Sequence, residues 1–263
     1  MTIVRMQEIQ TNKITHDKLK KKDSGAKSVR ILYEGNPLRV QIERARVPFG
    51  LNIYPNPKDV PNPTEPRKYS LEVSIGGNEK LEAFHEALEA IDTINLRYCS
   101  DNSKAWWGKP MSVDVMREAE TYKSHLKPDT KGENPPRLKI KLPIYDNRPT
   151  FKVFGADKRE IPLAIRGQDG TPDIDWSWAR SGMEVKIIAE CEGLWVINKN
   201  IYCTWKVVQL MVLDKGADIK NFAFIEDSEE EAPRQLVRAT STGDNEVESE
   251  YEEEEVEVEE DEE

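Results

Sequence analysis

The chain has 263 residues, 37% of them hydrophobic and 33% charged, with a formal net charge of −11, enough apolar material for one folded domain with polar appendages. The charge is segregated: residues 226–263 carry nineteen Asp/Glu against two Arg, net −17, which leaves +6 for residues 1–225. That partition suits a phosphate-binding body with an attached polyanion and argues against an ordinary acidic enzyme, which would spread its charge.

Residues 1–28 are basic and weakly patterned, with Lys18-Leu19-Lys20-Lys21-Lys22 ahead of Asp23-Ser24-Gly25, and are expected to form a mobile arm. Residues 29–33 and 38–42 alternate at period two around a turn at Gly35-Asn36, which predicts a β-hairpin. Residues 46–54 follow as a strand that Pro48 confines to an edge or a bulge, and residues 55–66 as a proline-rich loop. Residues 69–75 alternate again. Asn78 then caps a predicted helix running to about Leu96, with Leu81, Phe84, Leu88 and Ile91 on its apolar stripe and Glu79, Glu82, Glu86 and Glu89 outside. A shorter helix is expected after Ser112, then a loop over residues 127–136.

The second half returns to strands at 137–142, 151–154, 183–191, 194–197 and 202–213, the last two joined by a turn at Asn198-Lys199-Asn200. Five or more short strands with one helix between them suit a mainly β Greek-key barrel with an inserted helix over residues 29–225. Residues 226–263, with Glu252-Glu253-Glu254-Glu255 near their end, are expected to form a disordered acidic tail, because they cannot bury enough apolar surface to offset their ordering entropy.

No phosphate-loop, dinucleotide-fingerprint, zincin or nucleophile-elbow motif occurs. Cys99, Cys191 and Cys203 lack the short paired spacings of zinc sites, and their odd number argues against a disulfide framework. His16, His85 and His125 are dispersed and read as structural. Asp173 and Asp175, one residue apart, could serve a metal-dependent nuclease but read better as solvated loop carboxylates. No enzyme activity, cofactor or metal is assigned. No apolar run approaches the ~20 residues of a membrane span, so an intracellular protein without a membrane partner is expected.

Binding residues stand out instead. Alternation in residues 137–142 sets Arg137, Lys139 and Lys141 on one face as a basic stripe. Trp106-Trp107-Gly108-Lys109 is read as a loop after the helix, with Trp107 and Lys109 at a groove. Trp195, Lys199, Tyr202, Trp205 and Lys206 give the terminal hairpin an aromatic and basic mixture suited to base stacking, one of its two tryptophans being expected inside. The tail reads as an intramolecular competitor for the same surface. The alternative is an acidic-tailed chaperone or assembly factor for basic proteins.

Taken in order, residues 69–75 with the following helix, Trp106-Trp107-Gly108-Lys109, residues 138–142, and Gly193-Leu194-Trp195-Val196-Ile197 continuing through Tyr202-Cys203-Thr204-Trp205-Lys206-Val207-Val208-Gln209 resemble the single-stranded DNA-binding proteins of large nucleocytoplasmic DNA viruses of algae. The layout is also similar to that of the short-tailed phage proteins. The last segment resembles a Gly-x-Trp, Gly-x-x-Trp-x-x-x-Gln type of hairpin. The resemblance implies an oligonucleotide-binding (OB) barrel that coats single-stranded DNA in viral replication, recombination and repair. Phosphates would run along Arg137, Lys139 and Lys141 and across Lys199 and Lys206, bases would stack on Trp107, Trp195 or Trp205, and Arg44 and Arg46 would close the groove. It further implies a tail that recruits polymerase and primase-helicase, and work at the viral replication site, in the host nucleus or a cytoplasmic factory; homodimerisation is left open.

Overall fold

The computed structural model describes residues 2–21, 26–60, 67–146, 148–167 and 171–214, all within one unit, Met1–Asp218; the acidic tail lies outside the described residues. The main strands are β1 (Lys27–Val29), β2 (Arg39–Val47), β3 (Leu51–Tyr54), β4 (Lys68–Ser74), β5 (Arg137–Leu142), β6 (Lys152–Phe154), β7 (Met183–Ile197) and β8 (Asn200–Asp214), with helices α1 (Glu79–Trp107) and α2 (Val113–Glu118) between β4 and β5. The sheet runs β2-β7-β8-β5-β4-β3. Its pairs are antiparallel except β5 on β8, while β6 also lies parallel to β8 farther along.

The chain is mainly β, as the alternation predicts; among the described residues no ladder joins β2 to β3 or β4. The outer edge of β2 is taken instead by Val4–Arg5, which pairs in parallel with Val40 and Gln41. Those early residues are thus packed rather than an arm. Met6 is 1% exposed and Ile14 is buried, because apolar side chains spaced through this basic stretch find the sheet edge and α1. The predicted hairpin of residues 29–42 shrinks to two residue pairs, Leu32 with Pro37 and Tyr33 with Asn36; β2 turns away to pair with β7.

Helix α1 begins where its cap predicts, Asn78 Oδ1 accepting from Leu81 N at 3.0 Å. It runs eleven residues past Leu96 and stops at Gly108, whose φ of 76° provides a left-handed cap. The apolar periodicity fades there because the buried stripe turns partly polar: Asn95, Cys99, Ser103 and Trp106. The polar members are satisfied. Asn95 Nδ2 donates to Tyr122 Oη at 3.0 Å and its Oδ1 meets His16 Nε2 at 2.7 Å, while Ser103 Oγ accepts from Met111 N at 2.8 Å. Trp106 and Trp107 therefore close the helix and do not lie in a loop.

The long β7–β8 hairpin positions everything that follows. Its turn is at Asn198-Lys199, with Asn198 at φ 55°, and its ladder is broken by register shifts, one of them between Cys191 and Gly193. At that bulge β1 crosses so closely that a Cβ on Gly193 would stand 2.1 Å from Val29 O, which only glycine tolerates.

Candidate nucleic-acid interface

Side chains on one face of a sheet line up across strands at partnered positions, and the registers set one polar row on the outer face: Arg39 on β2, Glu190 on β7, Lys206 on β8, Lys141 on β5 and Ser70 on β4. The parallel β5–β8 pair is what brings the two lysines side by side. Glu190 bridges Arg39 Nε at 2.6 Å and Lys206 Nζ at 2.9 Å, and Glu192 holds Lys141 Nζ at 2.8 Å and accepts from Thr204 Oγ1 at 3.0 Å. Burial works against the Glu190 carboxylate, yet its hydrogen bonds from Lys206 and Arg39 hold its pKa below the usual value.

Two grooves meet on this row. One, of about 460 Å³, is lined by Lys20, Lys21, Ser28, Arg30, Glu190, Glu192, Trp195 and Lys206 among others. The other, of about 380 Å³, shares Glu192 and Lys206 and continues past Lys141 and Lys139 to Arg67, Lys68, Tyr69 and Tyr54. Among the described residues their walls together carry eight cations and two carboxylates. Aromatic planes stand along them. Trp195 lies under Lys141, whose Nζ is 5.7 Å from the ring centroid; Tyr202 is its cross-strand partner and partly exposed. Tyr54 is 69% exposed, and Tyr69 stacks on Trp176 with centroids 4.7 Å apart.

Of the residues singled out in the sequence, Lys139, Lys141, Trp195 and Lys206 converge on the groove. Lys139 is exposed and has no carboxylate partner among the described residues. Tyr202 adjoins Trp195, and Lys199 is exposed at the hairpin tip. Trp107 reaches that tip, its indole Nε1 donating to Asn198 O at 3.3 Å, with Lys109 exposed two residues on. Three arginines fall elsewhere. Arg44 pairs with Glu184 at 3.1 Å. Arg46 and Arg137 line a separate cleft with Phe49 and Asp129, where Arg137 is held by Glu72 at 3.0 Å and Asp129 at 3.8 Å. None of the three lines either groove, so Arg44 and Arg46 do not close it. Trp205 is corrected outright: it is 1% exposed and faces the interior beside His125, with ring centroids 5.8 Å apart, since its position on β8 has the buried parity of Ile201 and Val207.

Lys20, Lys21, Arg30, Tyr54, Arg67, Lys68, Tyr69 and the two glutamates join the grooves without standing out in the sequence. The lysines at 18, 20 and 21 are the one local signal for this wall. Asp173 and Asp175 do not converge; each accepts a local backbone N–H, from Ile174 and Ser177. The side chains among the described residues that could hold a metal are instead His125, Cys191 and Cys203, separated too widely in sequence to show as a motif.

A mainly β fold with one long helix and a cation-rich, aromatic-edged outer groove defines the class. Residues 77–226 match the model of the Family of unknown function (DUF5871), and the chain belongs to that family. No curated protein matches it in sequence. Among solved structures the chain is similar to the single-stranded DNA-binding protein from bacteriophage Enc34, at 12% identity over 76% of this chain and 92% of that one with a TM-score of 0.38. It is similar to the same protein in complex with ssDNA at 11% identity, 74% and 94% coverage and a TM-score of 0.36. It is also similar to gp2.5, a single-stranded DNA-binding protein encoded by bacteriophage T7, at 8% identity, 72% and 98% coverage and a TM-score of 0.43. Likenesses at this level carry neither fold nor function across.

Proposed function

We propose that the protein binds single-stranded DNA without sequence preference and performs no chemistry on it. The observation that supports this reading is the outer groove, where among the described residues eight cations against two carboxylates line two adjoining clefts edged by Trp195, Tyr54 and Tyr69. Spaced cations attract a phosphate backbone and release its counterions, and aromatic planes accept unpaired bases of any sequence. Lys139, Lys141, Lys206, Lys20 and Lys21 serve phosphates in this proposal; Trp195 and Tyr202 serve bases; Lys199, Trp107 and Lys109 extend the path around the hairpin tip. The acidic tail competes for the groove until DNA displaces it, which frees it for basic surfaces of replication proteins such as a polymerase or primase-helicase. A role in viral replication, recombination and repair at the site of genome copying belongs to the same proposal.

The test is tryptophan fluorescence during titration with oligothymidine, at low and moderate salt, for the full chain and for a chain ending at Ile225. Salt-weakened quenching in both, tighter in the shorter chain, is the expected result. No response from either would remove the reading. If the shorter chain instead loses a full-chain capacity to hold basic proteins soluble, while neither responds to DNA, the acidic-tailed chaperone takes its place.

A further inference from the structure

The inner side of the hairpin, behind the groove wall that Cys191 helps to line, holds a cluster to which the proposed DNA contacts assign no role. Cys191 on β7 and Cys203 on β8 place their sulfurs 3.7 Å apart, and His125, from the segment between the short strands Tyr122–Lys123 and Leu126–Lys127, brings a ring nitrogen within 4.8 Å of both. We propose that His125, Cys191 and Cys203 bind one zinc ion.

Four observations carry this. Two thiolates on a tetrahedral zinc, at bonds of about 2.3 Å, stand roughly 3.8 Å apart, which the observed sulfur separation matches; a disulfide needs about 2.05 Å. The His125 side chain has no solvent exposure, and its Nε2 is buried without a hydrogen-bond partner, a state that costs free energy unless a ligand satisfies it. Its Nδ1 is hydrogen-bonded to the Asp92 carboxylate, the carboxylate–histidine arrangement that orients a zinc-ligating imidazole. Asp92 is itself held by Tyr122 Oη at 2.6 Å and Ser124 Oγ at 2.5 Å, so the orienting group is built in. Two sulfurs and one imidazole are soft donors that favour zinc over magnesium or calcium.

A disulfide would leave Nε2 unsatisfied, whereas a metal satisfies it. The ion would cross-link β7, β8 and the His125 segment, with α1 joined through Asp92, directly behind the wall that presents Trp195 and Tyr202.

The experiment uses the full chain, reduced and freed of metal, titrated with cobalt(II) and then zinc. A sulfur-to-cobalt charge-transfer band that saturates at about one ion per chain and is displaced by zinc is expected. Cys203→Ser should abolish or strongly reduce the band, and Asp92→Asn should weaken zinc binding about 10–100-fold. The native-chain titration stands even if a variant fails to fold. Absence of the band in the reduced native chain overturns the proposal, as does isolation of zinc-free protein with Cys191 and Cys203 joined as a disulfide. The readout is metal alone, so it is independent of DNA.

Discussion

On the outer face of the β7–β8 hairpin, Trp195 and Lys206 line an open groove with Tyr202 beside them; on the inner face Trp205, Ile201 and Val207 are buried to 1% exposure or less. The same two strands carry both faces, and residue parity decides which a side chain joins. The bulge beside Gly193 is the switch. Before it the odd-numbered residues of β7 are buried, and after it the even-numbered ones are, so Trp195 faces outward instead of entering the core with Cys191. A one-residue slip reassigns every side chain beyond it.

Truncating one tryptophan on each face should separate the two sides most strongly. Trp205→Ala should cost about 3–5 kcal/mol of stability, read as a shift in the denaturation midpoint. Trp195→Ala should leave the midpoint nearly in place and weaken oligothymidine binding by about 1–3 kcal/mol. Equal stability losses at the two positions would mean that the faces are not distinct.

A smaller effect separates the cations from the glutamates that hold them. Lys139→Gln should weaken binding and reduce the slope of log affinity against log salt by about 0.7, one phosphate's worth on a single strand. Glu192→Gln releases Lys141 and should act oppositely, tightening binding by up to about fivefold, the range of an exposed ion pair. Isothermal titration across a salt series reads both signs.

The smallest effect concerns the N-terminal segment, docked on α1 through His16, which meets Asn95 and stacks on Tyr98 at 4.1 Å. Burial pushes the His16 pKa below its ordinary 6.5, outweighing the Asn95 contact that raises it. The unfolded chain therefore binds the proton more readily, and this contribution to stability is present above about pH 6.5 and lost as pH falls through the folded-state value. Denaturation midpoints at about pH 7.5 and 5.5 should differ less in His16→Gln than in the native chain.

Local features were legible where one short stretch carries the whole signal. Asn78 and the Leu81-Phe84-Leu88-Ile91 stripe announce α1, Ser112 caps α2 through Val115 N at 3.3 Å, and the turn at Asn198-Lys199 announces the hairpin. Where partners are distant, the signal fails. The end of α1 is concealed because Asn95 and Ser103 are buried by bonds to other segments. Residues 2–21 look like an arm because only their contacts with β2 and α1 show Met6 and His16 to be tethered.

The sequence by itself determined the strand and helix propensities, the alternation of Lys139 and Lys141 against Leu138 and Ile140, and the segregation of negative charge into residues 226–263, since each depends on neighbours within a few residues. Tertiary structure alone decided that Lys141 lies beside Lys206 on a parallel strand pair, that Glu190 and Glu192 divide the cations, that Trp195 faces outward while Trp205 faces inward, and that His125 meets Cys191 and Cys203. These depend on strand register and on one bulge, which are set by the packing of the whole sheet and leave no mark at a fixed spacing along the chain.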